Sequence, residues 1–310
     1  MSSYIYLYTH FFTKSHIYIK GRLLKGRLTI LKPQDGFLFS LYATFIRSFS
    51  REIKNHAIVI ECLNQTFNIT SDPEGYFELL IPNQWKEDLS QNTPFTISIN
   101  YKKKEDHLDF TLIPYAHKMP LGIISDIDDT VMASFIKSFL KIRMLIQVIF
   151  INPFRRKPIA KAVQFYRHKL EQIPTGGPII YVSNSPWNMY DYIKVFLDYN
   201  DFPQGEIQLR DFGWHLLRRK NKSLHEQNKY LEIEKLFTIF KHTKFILIGD
   251  AAEKDFDIYT LLLERHPDRI KEIIIIKAGN KNNDTRIAEI IKNKYPASIT
   301  LAENYEQLLE

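Results

Sequence analysis

Two periodicities divide the chain. From about His16 to Ile113 apolar and polar residues alternate with period two. Phe95, Ile97, Ile99 and Tyr101 alternate with Thr96, Ser98 and Asn100, and Leu108, Phe110 and Leu112 with Asp109 and Thr111. That pattern predicts half-buried antiparallel strands, with Lys102 to Asp106 as a hairpin loop. Further strands are predicted at Ile17 to Leu24, Ala57 to Glu61 and Tyr76 to Ile81. The last follows Ser71-Asp72-Pro73-Glu74-Gly75, a strong turn sequence. Together these read as a small antiparallel β-sandwich over residues 1–116, of the immunoglobulin or transthyretin kind. Phe37 to Phe49 does not alternate and reads as a short helix. No catalytic grouping stands out in this part, which suits a scaffold or docking surface. Pro114 to Pro120 reads as a linker.

After Pro120 the pattern changes. Four short apolar runs appear, Leu121 to Ile124, Ile179 to Val182, Phe245 to Ile248 and Ile273 to Ile276, with helical stretches between them. Continuous rather than alternating apolar runs predict strands of a buried parallel sheet, and the alternation with helices predicts βαβ units over residues 117–310. A final helix, Asp284 to Tyr295, and a short strand, Ser298 to Leu301, close the chain.

The run ends carry the candidate chemistry. The first ends in Asp126, Asp128 and Asp129, followed by Thr130. Carboxylates this close repel: at ~4 Å and an effective dielectric of ~20, a pair costs roughly 4 kcal/mol. A magnesium ion shared with a substrate phosphate relieves that repulsion. The bland reading is a turn whose Asp caps the next helix. The second run ends in Ser183-Asn184-Ser185, though Ser185-Pro186 also makes a good helix start. The third ends in Gly249-Asp250, with Asp255 five residues on, and reads equally as a strand-ending turn. Lys229 lies between, near the basic residues Arg218, Arg219, Lys220 and Lys222. Taken singly, each feature has its bland explanation. Taken in order, at successive strand ends, they converge on one crevice of an open parallel sheet.

This order resembles the haloacid dehalogenase (HAD) superfamily: Asp126-x-Asp128-x-Thr130, Ser183, Lys229, then Gly249-Asp250 with Asp255. More narrowly, SDIDDT, YVSNSPWNMYDYI, FPQGEIQLRDFG and FILIGDAAEKDFDIY resemble the catalytic domain of actin-patch-type phosphatidate phosphatases, relatives of the lipins. The resemblance covers roughly Leu121 to Lys277. The turn SDPEGYFEL is similar to one in the sandwich that precedes this domain in bacterial members. Ala251-Ala252 stand where the family usually shows Ser-Gly, and Asn228 stands where it shows His before the lysine.

The resemblance implies a HAD-like Rossmannoid α/β sheet and magnesium-dependent hydrolysis of a phosphomonoester. It implies Asp126 as nucleophile and Asp128 as general acid/base. Thr130, Ser183 and Lys229 would bind the phosphoryl oxygens. Asp126, the backbone carbonyl of Asp128, and Asp250 would hold Mg2+, with Asp255 supporting Lys229 or a metal-bound water. Asp129 is ambiguous between a helix cap and a water-mediated metal contact. Phosphatidate is the implied substrate. A soluble phosphomonoester, and a non-catalytic lipid- or phosphate-binding module, stay open beside it. The stretch Val131 to Phe154, apolar at near-helical spacing with Lys137, Lys141 and Arg143 in it and Arg155-Arg156-Lys157 after it, reads either as a membrane-facing lid or as a buried helix.

Composition narrows this picture. A length of 310 residues suggests about two domains. The 45% hydrophobic and 25% charged content is that of a globular protein. No stretch approaches the ~18 apolar residues of a membrane span, and the aromatic-rich start lacks the features of a signal peptide. A single cysteine, Cys62, leaves no internal disulfide and fits a cytoplasmic protein, peripheral at membrane if it meets a lipid there. Ten histidines without ligand spacing argue against zinc. A net charge of +7 favours anionic partners, although a Lys-, Asn- and Ile-rich composition accounts for it equally well. No nucleic-acid module is visible. Oligomeric state is not legible.

Overall fold

The computed structural model describes residues 3–25, 51–62, 65–83, 95–101, 107–112, 119–132, 153–173, 177–210, 223–252 and 254–310. The predicted helix at Phe37 to Phe49, the hairpin loop at Lys102 to Asp106 and most of the linker and lid segments lie outside them, as do Arg218, Arg219, Lys220 and Lys222. Among the described residues no helix is long and apolar enough to cross a membrane. The chain divides into two compact units.

Among the described residues the first unit holds eight antiparallel strands. They are β1 (Ser3–Phe12), β2 (His16–Lys25), β3 (Arg51–Glu52), β4 (Ala57–Cys62), β5 (Gln65–Thr70), β6 (Tyr76–Pro82), β7 (Phe95–Asn100) and β8 (His107–Leu112). One sheet joins β1 to β2, with β3 and β6 also pairing to β2, and the other has the order β5-β4-β7-β8. One buried cluster draws on both sheets: Phe12, Ile17, Ile19 and Phe77 from the first, Ile58, Ile60, Ile97 and Ile99 from the second. The period-two alternation is what supplies it, since only alternate residues reach that side. The predicted turn before β6 forms around Asp72. Its Oδ1 accepts from the backbone N–H groups of Glu74 and Tyr76, both at 2.8 Å. Gly75 takes a φ of 82°, where a side chain would also meet the Leu23 carbonyl.

The second unit is an α/β unit. Its strands are β9 (Leu121–Ser125), β10 (Ile179–Pro186), β11 (Glu206–Arg210), β12 (Lys244–Asp250), β13 (Ile270–Ile276) and β14 (Ile299–Ala302). All pair in parallel, in the order β11-β10-β9-β12-β13-β14. The chain therefore builds outward from β9 on one side, then returns to its other side with β12. Such a reversal of winding opens a crevice at the carboxyl ends of β9 and β12. Ile123, Ile124, Leu247, Ile248, Ile273 and Ile274 are buried, each contributing ~1.5–3 kcal/mol by leaving water.

Helices α1 (Ala162–Glu171), α2 (Tyr190–Tyr199), α3 (Ser223–Ile239), α4 (Asp255–Arg265) and α5 (Lys281–Lys294) accompany the sheet. Their buried positions recur at helical spacing, as Ala162, Phe165 and Tyr166 do on α1. The sequence places a helix start at Ser185-Pro186. In the structure β10 continues through Pro186, a short 3-10 turn follows at Trp187–Met189, and α2 begins only at Tyr190. The Ser185 hydroxyl is engaged elsewhere, as described below.

Candidate active site

The acid loop follows directly from β9. The backbone N–H of Asp126 donates to Ile248 of β12 at 2.8 Å, so the ladder between the two strands carries the first aspartate to the crevice. The loop then folds back on itself. Val131 and Met132 both donate to the Ile127 carbonyl, and Asp129 donates to Met132. Asp129 takes a left-handed φ of 57°, a conformation that Asp tolerates better than most residues.

Asp126, Asp250 and Asp255 are each about 1% exposed, and Lys229 is 2% exposed. Lys229 Nζ donates to Asp126 Oδ1 at 2.7 Å and to Asp255 Oδ1 through a second, shorter contact. α3 supplies the lysine and the first turn of α4 supplies Asp255, while β9 and β12 deliver Asp126 and Asp250. Gly249 makes this approach feasible. A Cβ there would sit 2.8 Å from Asp255 Cβ and 2.9 Å from its Cγ. The Asp250 backbone N–H faces Asp255 Oδ2 at 3.4 Å, and Asp250 Oδ1 accepts from the Ala252 backbone.

Beneath the lysine, Tyr259 of α4 places its ring centroid 5.7 Å from Nζ and donates to the Ile248 carbonyl at 3.2 Å. Burial, and next the charge of Asp255, push its phenol well above the usual range, so it stays a neutral donor.

Asp128 points to a different set of partners. Its Oδ2 accepts from Ser183 Oγ at 2.9 Å and from Ser185 Oγ at 3.1 Å. Ser183 Oγ also accepts from the Ser185 backbone N–H at 2.9 Å, which fixes the hydroxyl's direction. Period-two spacing at the end of β10 puts both serines on the same face. Thr130 is fully buried, and its Oγ1 has no hydrogen-bond partner among the described residues.

Of the residues singled out in the sequence, Asp126, Lys229, Asp250 and Asp255 meet in one buried cluster. Asp128 and Ser183 meet beside each other at the same loop. Ser185 was missed as a partner of Asp128, although its spacing from Ser183 is a signal for it. Two buried tyrosines behind the loop, Tyr166 and Tyr305, carry no sequence signal of their role.

A divalent cation fits the donor set. One oxygen from each of Asp126, Asp250 and Asp255 lies within 4.8 Å of the others, so the three could hold a metal ion. Three buried carboxylates face one buried lysine, and excess negative charge of that kind needs a cation. The sequence expectation placed the backbone carbonyl of Asp128 in the set and Asp255 in a supporting role. The Asp128 carboxylate faces the serines, which leaves that carbonyl as its offered ligand, and Asp255 adds an oxygen to the group.

Fold and site together define an α/β protein with a buried acid–lysine centre at the winding reversal of its parallel sheet. The family described as "Phosphatidate phosphatase APP1, catalytic domain" matches residues 121–277, just over half of the chain. The chain belongs to this family. It is 25% identical over 244 residues to phosphatidate phosphatase APP1 of Saccharomyces cerevisiae, covering 76% of this chain and 40% of that protein. It is 26% identical over 218 residues to an uncharacterized protein of Schizosaccharomyces pombe, covering 67% of this chain and 34% of that one. The chain thus spans less than half the length of these relatives. A solved chain from the Pnkp1/Rnl/Hen1 complex aligns at 14% identity and a TM-score of 0.34, covering 58% of this chain and 56% of that one. That likeness is too slight to define the fold.

Proposed function

We propose that the chain is a magnesium-dependent phosphomonoester hydrolase, with phosphatidate as substrate and diacylglycerol and phosphate as products. The observation that carries this reading is the buried cluster of Asp126, Lys229, Asp250 and Asp255 at the end of β9 and β12. Family membership supports the substrate class.

Asp126 acts as nucleophile, forming an aspartyl-phosphate as the ester bond breaks. Asp128 gives its proton to the departing alcohol oxygen, then takes one from the water that cleaves the acyl phosphate. Lys229 and Ser183 bind phosphoryl oxygens, and the unspent hydroxyl of Thr130 suits the same task. Asp126 and Asp250, with the Asp128 carbonyl or Asp255, hold Mg2+. When bound, the cation offsets the repulsion between carboxylate and phosphate and stabilises the charge that develops in transfer. Asp255 orients Lys229 through their ion pair.

Two further readings support this frame. The order of the catalytic residues along the sheet suits a HAD-like domain over residues 117–310. The shared core of the two antiparallel sheets suits a β-sandwich over residues 1–116. A cytoplasmic location suits the single cysteine, and a lipid substrate suits a peripheral meeting with a membrane surface.

The test compares phosphatidate in mixed micelles with its water-soluble short-chain analogue, in magnesium, for the wild type and Asp126→Asn. Preferential turnover of the micellar lipid, lost in the variant, is expected. Preference for the soluble analogue would move the protein to small phosphomonoesters. Absence of turnover on every phosphomonoester, p-nitrophenyl phosphate included, would leave a binding module.

A further inference from the structure

The acid loop is held from behind by two tyrosines, one at each end. Tyr166 of α1 and Tyr305, in the segment after β14, are both fully buried. Tyr166 OH lies 2.5 Å from Ser125 Oγ, and Ser125 Oγ donates to the Asp126 carbonyl at 2.6 Å. A serine hydroxyl has one proton, so Tyr166 is the donor in its own bond. At the other end Tyr305 OH donates to the Thr130 carbonyl at 2.8 Å, across 175 residues of sequence. The two rings stand 6.0 Å apart, and Phe165 lies 4.9 Å from Tyr305, so the phenols are locked by packing.

We propose that Tyr166 and Tyr305 are positioning residues that clamp the loop from Ser125 to Thr130, so that one side chain inside the family match and one beyond it together set the geometry of Asp126 and Asp128. Neither touches a reacting atom. Tyr305 fixes the Thr130 carbonyl directly and Tyr166 fixes that of Asp126 through the Ser125 hydroxyl, and both carboxylates ride on the backbone of the segment so held. Burial pushes both phenols above their usual range, which keeps them protonated donors. Tyr166 lies within the matched residues 121–277 and Tyr305 beyond them, so one half of the clamp comes from outside the matched segment. The proposal rests on the reading of Asp126 and Asp128 as the reacting carboxylates.

The test uses the full chain and three variants. Tyr305→Phe and Tyr166→Phe each remove one hydroxyl and keep the ring. Tyr181→Phe removes a buried hydroxyl of the same kind, which donates to the Pro203 carbonyl at 2.9 Å and does not reach the loop. Hydrogen exchange is measured on the peptide covering the loop, together with kcat and KM. Faster exchange at Ile127 to Met132 is expected in Tyr305→Phe and Tyr166→Phe but not in Tyr181→Phe. A roughly tenfold to hundredfold fall in kcat at unchanged KM should accompany it, the size expected for slightly misplaced catalytic groups. Equal loop exchange in all three variants would overturn the clamp, as would an unchanged kcat in Tyr305→Phe. If the wild type turns over no phosphomonoester, the proposed function fails on its own, and the exchange comparison still decides the clamp.

Discussion

Lys229 Nζ lies 2.7 Å from Asp126 Oδ1, and both side chains are at most 1% exposed. This buried pair does not stand alone, since Asp255 takes the same ammonium from the other side. Removing the lysine therefore strands two carboxylates at once. Lys229→Met should cost about 3–5 kcal/mol of stability, the usual consequence of breaking a buried pair from one side. Thermal unfolding checks this, and Lys229→Met/Asp255→Asn should recover part of the loss. A double variant no more stable than the single one would contradict the pairing.

Excess acid in the same cluster gives a prediction for the metal. Without magnesium, Asp250→Asn should raise the melting temperature, because it removes one of three buried carboxylates while its Oδ1 still accepts from Ala252. Magnesium should stabilise the wild type, by ~2.7 kcal/mol at about a hundredfold over Kd. The variant should lose most of that shift. Differential scanning fluorimetry across a magnesium titration reads both effects.

Gly249→Ala is expected to be disproportionately harmful. The added methyl must displace Asp255 Cβ and Cγ, so it overpacks the site at a cost of ~1–3 kcal/mol and pulls Asp255 from Lys229. Activity should fall by more than the loss of folded protein explains. Activity per folded molecule, measured well below the melting temperature, separates the two.

The serine pair predicts a coupling. Ser183→Ala removes a hydroxyl bonded to the Asp128 carboxylate, a bond class worth ~1.5–3 kcal/mol, and should lower kcat/KM by one to two orders of magnitude. Ser185→Ala should cost less. The double variant should depart from the sum of the two, since both donate to the same oxygen. Steady-state kinetics on the four proteins completes the cycle.

Cys62 offers a check on the first unit. Burial pushes its thiol up to about 11, so the thiolate is scarce at pH 8. A folded-state value raised above the unfolded one adds stability at lower pH, and that stability fades as pH climbs toward 11. Labelling with a thiol reagent at pH 8 should be slow in native protein and fast in denaturant.

Much of this was legible in sequence, for physical reasons. Apolar runs buried on both faces announce parallel strands, and all four became β9, β10, β12 and β13. β11 was missed because Glu206-Ile207-Gln208-Leu209-Arg210 is an edge strand that alternates rather than running apolar. β1 was missed because Ser3 to Phe12 carries aromatics in both phases, so no period emerges. β5 escaped because its side chains are exposed or half-buried. The candidate acids and the lysine were readable from their order at strand ends. Tyr305 was not readable: its role depends on a contact with Thr130, 175 residues earlier, and nothing local to it encodes that partner.

β14 covers the outer edge of β13, whose last four residues are all isoleucine. A fragment trimmed at residue 277 would leave that isoleucine ladder with open backbone groups, a template for self-association. Anyone trimming this protein for expression should keep residues 299–305, even though the recognisable part of the chain has ended well before them.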